Sequence, residues 1–266
     1  MREKIFKKSS IKAKIREIRT SEHGDHFIAE YGIDSLAEIP GVDLTKSAPK
    51  IKHQLRKRLV IVPEVIEKAT GINILERNIK SIIFTTDLPI LSNSNADAVM
   101  AVYPFTPQLS ITQAILSTAT VPVFVGVGGG TTTGNRSLNI GLQAELYGAY
   151  GVVVNSHMQN DIINMIANDL DIPVIATVAS EKDDYISKIQ AGASILNVSA
   201  AKETVALVKI IRETIGNDFP IIATGGPTEE SILNTIKAGA NAITYSPPTT
   251  GEIFASLMEE YRKEKK

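Results

Sequence analysis

The chain has 266 residues, 43% of them hydrophobic, with no cysteine and no tryptophan. That length holds a sizeable core and suits a single α/β barrel, while the missing cysteines exclude a disulfide framework, thiolate metal sites and a cysteine nucleophile. The formal net charge of −1 hides an asymmetry, since the first 80 residues carry 17 Lys and Arg against 11 Asp and Glu, and the remainder 11 against 18.

The first residues, Met1 to Lys8, lack the apolar stretch of a signal peptide, and no run approaches the roughly 18 apolar residues of a membrane span. A cytoplasmic protein with no membrane partner is therefore expected. Basic clusters at residues 2–19 and 50–58 fall in helix-like segments, which favours a solvated helix face over a polyanion-binding surface. Nucleic acid is accordingly not the expected partner. Residues 1–78, including a strand-like run at 59–62 and a helix-like run at 63–70, are expected to form a basic helical extension packed on a barrel.

From residue 79 to 266, short apolar runs alternate with amphipathic stretches such as residues 161–170 and 204–211. The runs are residues 81–84, 98–103, 121–127, 151–155, 172–177, 194–198, 220–223 and 242–245. They are continuously apolar, as parallel strands buried on both faces require. Pro122, Pro173 and Pro220 lead into strands, where a residue without an N–H is tolerated. Gly148, Gly192 and Gly239 stand where helices end and a left-handed residue is needed. The pattern predicts an α/β fold, a (β/α)8 TIM barrel. Its first two strands start about 17 residues apart, too close for an ordinary crossover helix, so the first βα unit is expected to be truncated.

Ligands of such barrels meet the C-terminal ends of the strands. That rule selects Thr85, Thr86 and Asp87, then Tyr103, Phe105 and Thr106, then the loop from Gly126 to Arg136. It continues with Asn155, Ser156 and His157, Thr177 and Ser180, Asn197 and Ser199, Thr224 to Gly226, and Ser246 to Gly251. Asp87 is a candidate general base or hydroxyl acceptor, and His157, the one histidine after a barrel strand, a candidate acid/base. The glycine-rich loop matches neither a Walker P-loop nor a dinucleotide fingerprint. Its Gly128 and Gly129 can present backbone donors and Arg136 can clamp a carboxylate or phosphate; a mobile surface loop is the equal alternative.

The strongest pairing is Gly225-Gly226, between a strand and a helix start, with Ser246, Thr249, Thr250 and Gly251 after the last strand. Glycines admit close backbone approach and helix N-termini favour anions, so a phosphate is expected there. A tight turn and a helix cap are the plainer alternative. No zinc-like spacing and no Gly-x-Ser-x-Gly elbow occurs, whereas Mg2+ held through a substrate phosphate would leave no mark.

Residues 185–254 resemble the C-terminal half of the phosphate-binding aldolase-type TIM barrels, the group of 2-keto-3-deoxy-6-phosphogluconate aldolases, N-acetylmannosamine-6-phosphate epimerases and thiamine-phosphate synthases. Ala223-Thr224-Gly225-Gly226 is similar to the phosphate loop of those aldolases. The resemblance implies the fold and a phosphate ligand. It also implies a Schiff-base lysine on the sixth strand, but this chain has Asn197 there, and Lys202 lies beyond the strand end. Asn197 is thus expected to hydrogen-bond a substrate carbonyl or hydroxyl. The expected function is a lyase, epimerase or isomerase step, without an imine, on a small phosphorylated sugar-like or keto-acid metabolite. An FMN-dependent oxidoreductase and a phosphometabolite-sensing regulator that binds nucleic acid or a protein partner are the alternatives. A hydrolase and a homo-oligomer stay open.

Overall fold

A short 3₁₀ turn, Glu64–Lys68, leads into an antiparallel hairpin of β1 (Ile72–Ile74) and β2 (Arg77–Ile79) in the computed structural model, which describes residues 60–103 and 105–264. One residue later the chain enters β3 (Ser81–Phe84), the first stave of a closed parallel barrel. The barrel continues through β4 (Ala98–Ala101), β5 (Val123–Gly128), β6 (Gly151–Val154), β7 (Val174–Val178), β8 (Ile195–Val198), β9 (Ile221–Thr224) and β10 (Ala242–Tyr245). Each of the eight apolar runs is a stave, and β10 pairs back onto β3 with Ile243 opposite Ser81. The helices that follow the staves in turn are α1 (Leu88–Ser92), α2 (Leu109–Thr118), α3 (Asn135–Leu146), α4 (Asn160–Asp169), α5 (Tyr185–Gln190), α6 (Thr204–Ile215), α7 (Glu229–Lys237) and α8 (Thr250–Glu264). The truncated first unit is real: α1 has five residues.

Side chains alternate across a strand, so every stave feeds two cores. Ile83, Val99, Val125, Val154, Leu196 and Ile243 point outward and pack under the helices. Ile82, Ala98, Met100, Phe124, Val153, Ile175, Ile195, Ile222 and Ala242 fill the interior. Ile72, Ile74 and Ile79 of the hairpin join that inner cluster and close the N-terminal end of the barrel. Val60, Val62 and Ile66 join the outer one. The basic clusters at 2–19 and 50–58 lie outside the described residues. Among the described residues no helix is long and apolar enough to cross a membrane.

A buried cation fastens the same N-terminal end. The Arg212 guanidinium on α6 donates from Nε to the Gly239 carbonyl at 2.8 Å and from Nη1 to those of Gly216 and Phe219 at 3.0 and 2.6 Å. Its Nη2 donates to Asn241 Oδ1, which also accepts from the Ile221 N–H at 2.9 Å. Asn241 in turn reaches the chain ahead of β1, donating from Nδ2 to Thr70 Oγ1 at 3.0 Å and accepting the Gly71 N–H at 2.8 Å. Burial pushes the Arg212 pKa down, and carbonyl dipoles replace the water it has lost. Arg212→Met strands several carbonyls and is expected to lower unfolding stability by about 2–4 kcal/mol with the barrel fold retained. Urea denaturation followed by circular dichroism checks it; an unchanged midpoint would make the cluster ornamental.

Candidate active site

Continuing the period of two above the inner apolar layer brings Phe84, Val102, Gly126, Asn155, Thr177, Asn197, Thr224 and Thr244 to the inward face at the strands' C-terminal ends. A cavity of about 280 Å3 opens there. Phe84, Met100 and Val102 line one side; Asn155, Thr177, Asn197 and Ser199 line the other; Tyr103, Phe105, Thr106, Gly128, Gly129, Thr131 and Thr132 come from the loops after β4 and β5. Among the described lining residues Tyr103 is the sole ionisable side chain.

The polar side is tied together across staves. Asn197 Nδ2 donates to Thr177 Oγ1 at 3.3 Å on the neighbouring strand, where the two residues are in register. Thr224 Oγ1 donates to Ser199 Oγ at 3.1 Å, linking the cavity wall to the loop after β9. Tyr103 Oη accepts the Gln108 N–H at 2.7 Å, which leaves its own proton free to donate elsewhere. Thr244 Oγ1 is buried and has no hydrogen-bond partner among the described residues.

The glycine-rich loop is fixed by its own backbone. The pairing of β5 with β6 shifts register between Gly126 and Gly128, a bulge that re-aims the chain, and the Gly129 N–H donates to the Thr132 carbonyl at 2.7 Å. A Cβ on Gly128 would lie 2.5 Å from that carbonyl, and one on Gly129 2.0 Å from Asn155 Oδ1. Both glycines are therefore demanded by close approach. Arg136 is exposed and sits instead in a groove on the outer wall with Leu109, Asn139 and Gln143.

The other sequence-selected residues divide between mouth and periphery. His157 is exposed, its Nδ1 3.3 Å from Ser156 Oγ and its N–H donating to Asn155 Oδ1 at 3.0 Å, and its ring does not line the cavity. Asp87 is engaged at the start of α8: its Oδ2 accepts the Thr250 N–H at 2.8 Å and its Oδ1 the Thr250 hydroxyl at 2.7 Å. Glu252 Oε2 accepts the Thr249 N–H at 2.8 Å and Oγ1 at 2.9 Å, bonds that hold the Glu252 carboxyl below its ordinary pKa. Two carboxylates thus take the donors of a helix N-terminus, where its dipole favours negative charge. A phosphate reaching Thr249 or Thr250 has to displace one.

Gly225 and Gly226 open the loop to α7. A Cβ on Gly225 would meet Ile243 Cγ2 at 2.6 Å and Ile232 Cγ1 at 2.8 Å, while Gly226 has φ +77°. Thr228 caps α7 by accepting the Ser231 N–H at 3.1 Å. Ser246 is exposed just beyond β10. Lys202 is exposed after β8.

Phe84, Thr244 and Lys188 were not marked by sequence. Lys188 on α5 is 4% exposed. Its Nζ donates to the carbonyls of Ser156 at 2.9 Å and Met158 at 3.4 Å, and burial pushes its pKa down against the pull of Asp183 and Asp184. Among the described residues no group of three or more His, Cys, Asp or Glu could hold a metal ion.

No protein-family model matches the sequence, and no curated protein does. Solved structures do match in fold. A phosphonopyruvate hydrolase complexed with oxalate and Mg2+ aligns with a TM-score of 0.52 and 13% identity over 70% of this chain and 80% of that one. A 2,3-dimethylmalate lyase of the PEP mutase/isocitrate lyase superfamily gives 0.53 and 14% over 76% and 85%. A phosphoenolpyruvate phosphomutase from Streptomyces platensis subsp. rosaceus gives 0.52 and 11% over 74% and 83%. At these identities the likeness is one of fold. It agrees with an aldolase-type barrel at that coarse level and does not single out the aldolase, epimerase or synthase groups that the C-terminal half resembles.

Two outcomes follow from the loop geometry. Gly225→Ala is expected to destabilise by about 1–3 kcal/mol through overpacking against Ile232 and Ile243, with or without any ligand; equal chemical-denaturation midpoints would refute the close approach. For Glu252 the lowered folded-state pKa means support for α8 that is complete above the ordinary glutamate value and disappears as pH falls through the folded value. Amide exchange in the first turn of α8 should accelerate between about pH 6 and about pH 3, after correction for intrinsic rates, and Glu252→Gln should abolish that difference.

Proposed function

We propose that the chain is an enzyme acting on a small phosphorylated sugar-like or keto-acid metabolite through a lyase, epimerase or isomerase step that forms no lysine imine. The observation that carries this reading is the cavity at the barrel mouth, with Asn197 and Thr177 hydrogen-bonded on adjacent staves in its wall. Mouth cavities are where barrels of this architecture do their chemistry. Two of the barrels that match in fold are, by name, a phosphonopyruvate hydrolase and a phosphoenolpyruvate phosphomutase, which supports a phosphorus-bearing ligand.

In this reading the phosphate lies at the rim against the backbone of Gly225 and Gly226 and the start of α7, with Ser246 and the Thr249–Gly251 loop across from it. The reacting end descends into the cavity. Asn197 and Thr177 hold its carbonyl or hydroxyl, and Tyr103, whose proton has no acceptor among the described residues, donates to a ligand oxygen as charge develops there while solvent at the open mouth takes the proton lost from the adjacent carbon. Anchoring at the rim then orients the reacting end. The bonds that Asp87 makes to Thr250 suit it to anchoring α8, and His157, through its N–H on Asn155, to shaping the wall; the proton-transfer role moves to Tyr103.

The reading is tested by following deuterium from D2O into the C–H positions of a panel of phosphorylated aldoses, ketoses and keto acids by NMR. At least one compound should exchange with wild type, and Tyr103→Phe should slow that exchange by about 100-fold or more. Gly226→Asp should weaken inorganic phosphate binding by placing a like charge and a side chain where backbone must approach. No exchange across the panel together with no phosphate binding would sink the proposal. Borohydride added with pyruvate should trap no adduct, because no lysine lines the cavity among the described residues; a stoichiometric adduct on Lys202 or Lys188 would restore imine chemistry.

A further inference from the structure

We infer that the enclosed end of the ligand is an uncharged, hydroxyl- or carbonyl-bearing group of sugar type, and that a carboxylate is rejected there. The inference rests on the mouth cavity being the ligand site of the proposed function, and it decides between the sugar-like and keto-acid classes left together above.

Five consecutive staves present a neutral polar side chain on the inward face at the same level: Asn155, Thr177 and Asn197 line the cavity, and Thr224 and Thr244 continue the arc outside its lining. Amides and hydroxyls each donate and accept, so this arc matches a ligand whose own groups alternate between the two roles. Sugar hydroxyls and a carbonyl do so; an ionised carboxylate only accepts. On the opposite side Phe84, Met100 and Val102 offer an apolar wall for a C–H face.

A carboxylate in the cavity would find no cationic side chain among the described residues. The lining contains no Lys, Arg or His among the described residues. The two buried cations among the described residues are committed elsewhere, Lys188 to the carbonyls of Ser156 and Met158 and Arg212 to the far end of the barrel. Arg136 lies on the outer wall. Enclosing an unpaired carboxylate is strongly unfavourable, whereas a neutral hydroxyl needs only partners.

Thr244 differs from its neighbours on the arc in having no partner among the described residues. It alternates with Ile243, which packs outward, and with Ala242, which belongs to the inner cluster, so its side chain faces the interior. Its hydroxyl is buried without a protein partner among the described residues. Buried hydroxyls normally have one. The Thr244 hydroxyl lies outside the cavity lining, so a ligand meets it only if the side chain turns toward the mouth.

The test uses two pairs of compounds that share a phosphate and differ at the other end: glycerol 3-phosphate against 3-phosphoglycerate, and glucose 6-phosphate against 6-phosphogluconate. Affinities are measured by calorimetry on the full chain, with inorganic phosphate, glycerol and glucose as further probes. The neutral member of at least one pair should bind about tenfold or more tightly than its carboxylate partner. Thr177→Val should remove most of that preference with the fold retained by circular dichroism, because it deletes a hydroxyl of the cavity lining at nearly constant volume. Equal or tighter binding of the carboxylate members overturns the inference, as does binding of inorganic phosphate with silence from both neutral members. Binding of glucose or glycerol without any response to phosphate leaves the neutral site standing and removes the phosphate from the proposed function. Silence from every probe overturns both.

Discussion

The pairing of β10 with β3 turns an eight-stranded ribbon into a ring, and ring closure decides which residue of every stave faces inward. An open sheet could slide one strand by a residue and exchange its two faces. In the closed ring such a slip would have to pass around all eight pairings and would carry Ile175, Ile195 and Ile222 out of the interior as it brought outward-facing neighbours in. The vertical order of the barrel follows from that constraint. Hairpin isoleucines seal the N-terminal end, a packed apolar layer fills the middle, and the next inward residue on five staves is an amide or a hydroxyl. The mouth is polar because the strands run one alternation beyond their apolar core.

The strands were legible because several independent signals agree in each unit, with continuous apolar runs, proline at the entrance and glycine after the helix. The hairpin was not. Its two-residue turn is made by Leu75 and Glu76, both at positive φ, 47° and 60°, where a type I′ turn ordinarily announces itself with Asn-Gly or Asp-Gly. The mouth cavity was legible by position, since its wall follows from where the strands end. Strand ends pointed to Asn155, Thr177, Asn197 and Ser199, which line the cavity, and charge to Asp87, His157 and Arg136, which do not. Whether Asp87 faces a ligand or Thr250, 163 residues away, depends on how the ends of the barrel meet. Gly225 carries a similar lesson, since its lack of a side chain is required by Ile232 and Ile243 from two other elements.

The loops after β9 and β10 show how one motif can serve two masters. A glycine pair before a helix looks like an anion cradle, and the start of α8 has the donors to complete it. Asp87 and Glu252 already supply negative charge to those donors. On the proposed function a ligand phosphate would compete with carboxylates at α8 and would meet no such competitor among the described bonds of the Gly226 turn, which favours a place toward α7. The capping bonds of Thr228 and Ser231 keep that turn in shape without adding a charge.

Neutral groups orient a ligand only if they are held still, and the protein uses a charge outside the cavity to hold them. The Lys188 ammonium, buried behind the loop after β6, grips the carbonyls of Ser156 and Met158. That grip fixes the segment whose Asn155 side chain accepts the His157 N–H and whose amide presses so close to Gly129 that no Cβ fits between them. Two loops from neighbouring staves are thereby locked to one another at the cavity edge. Placing the cation on backbone carbonyls keeps its charge out of the cavity lining while its rigidity is passed on to the loops at the cavity edge.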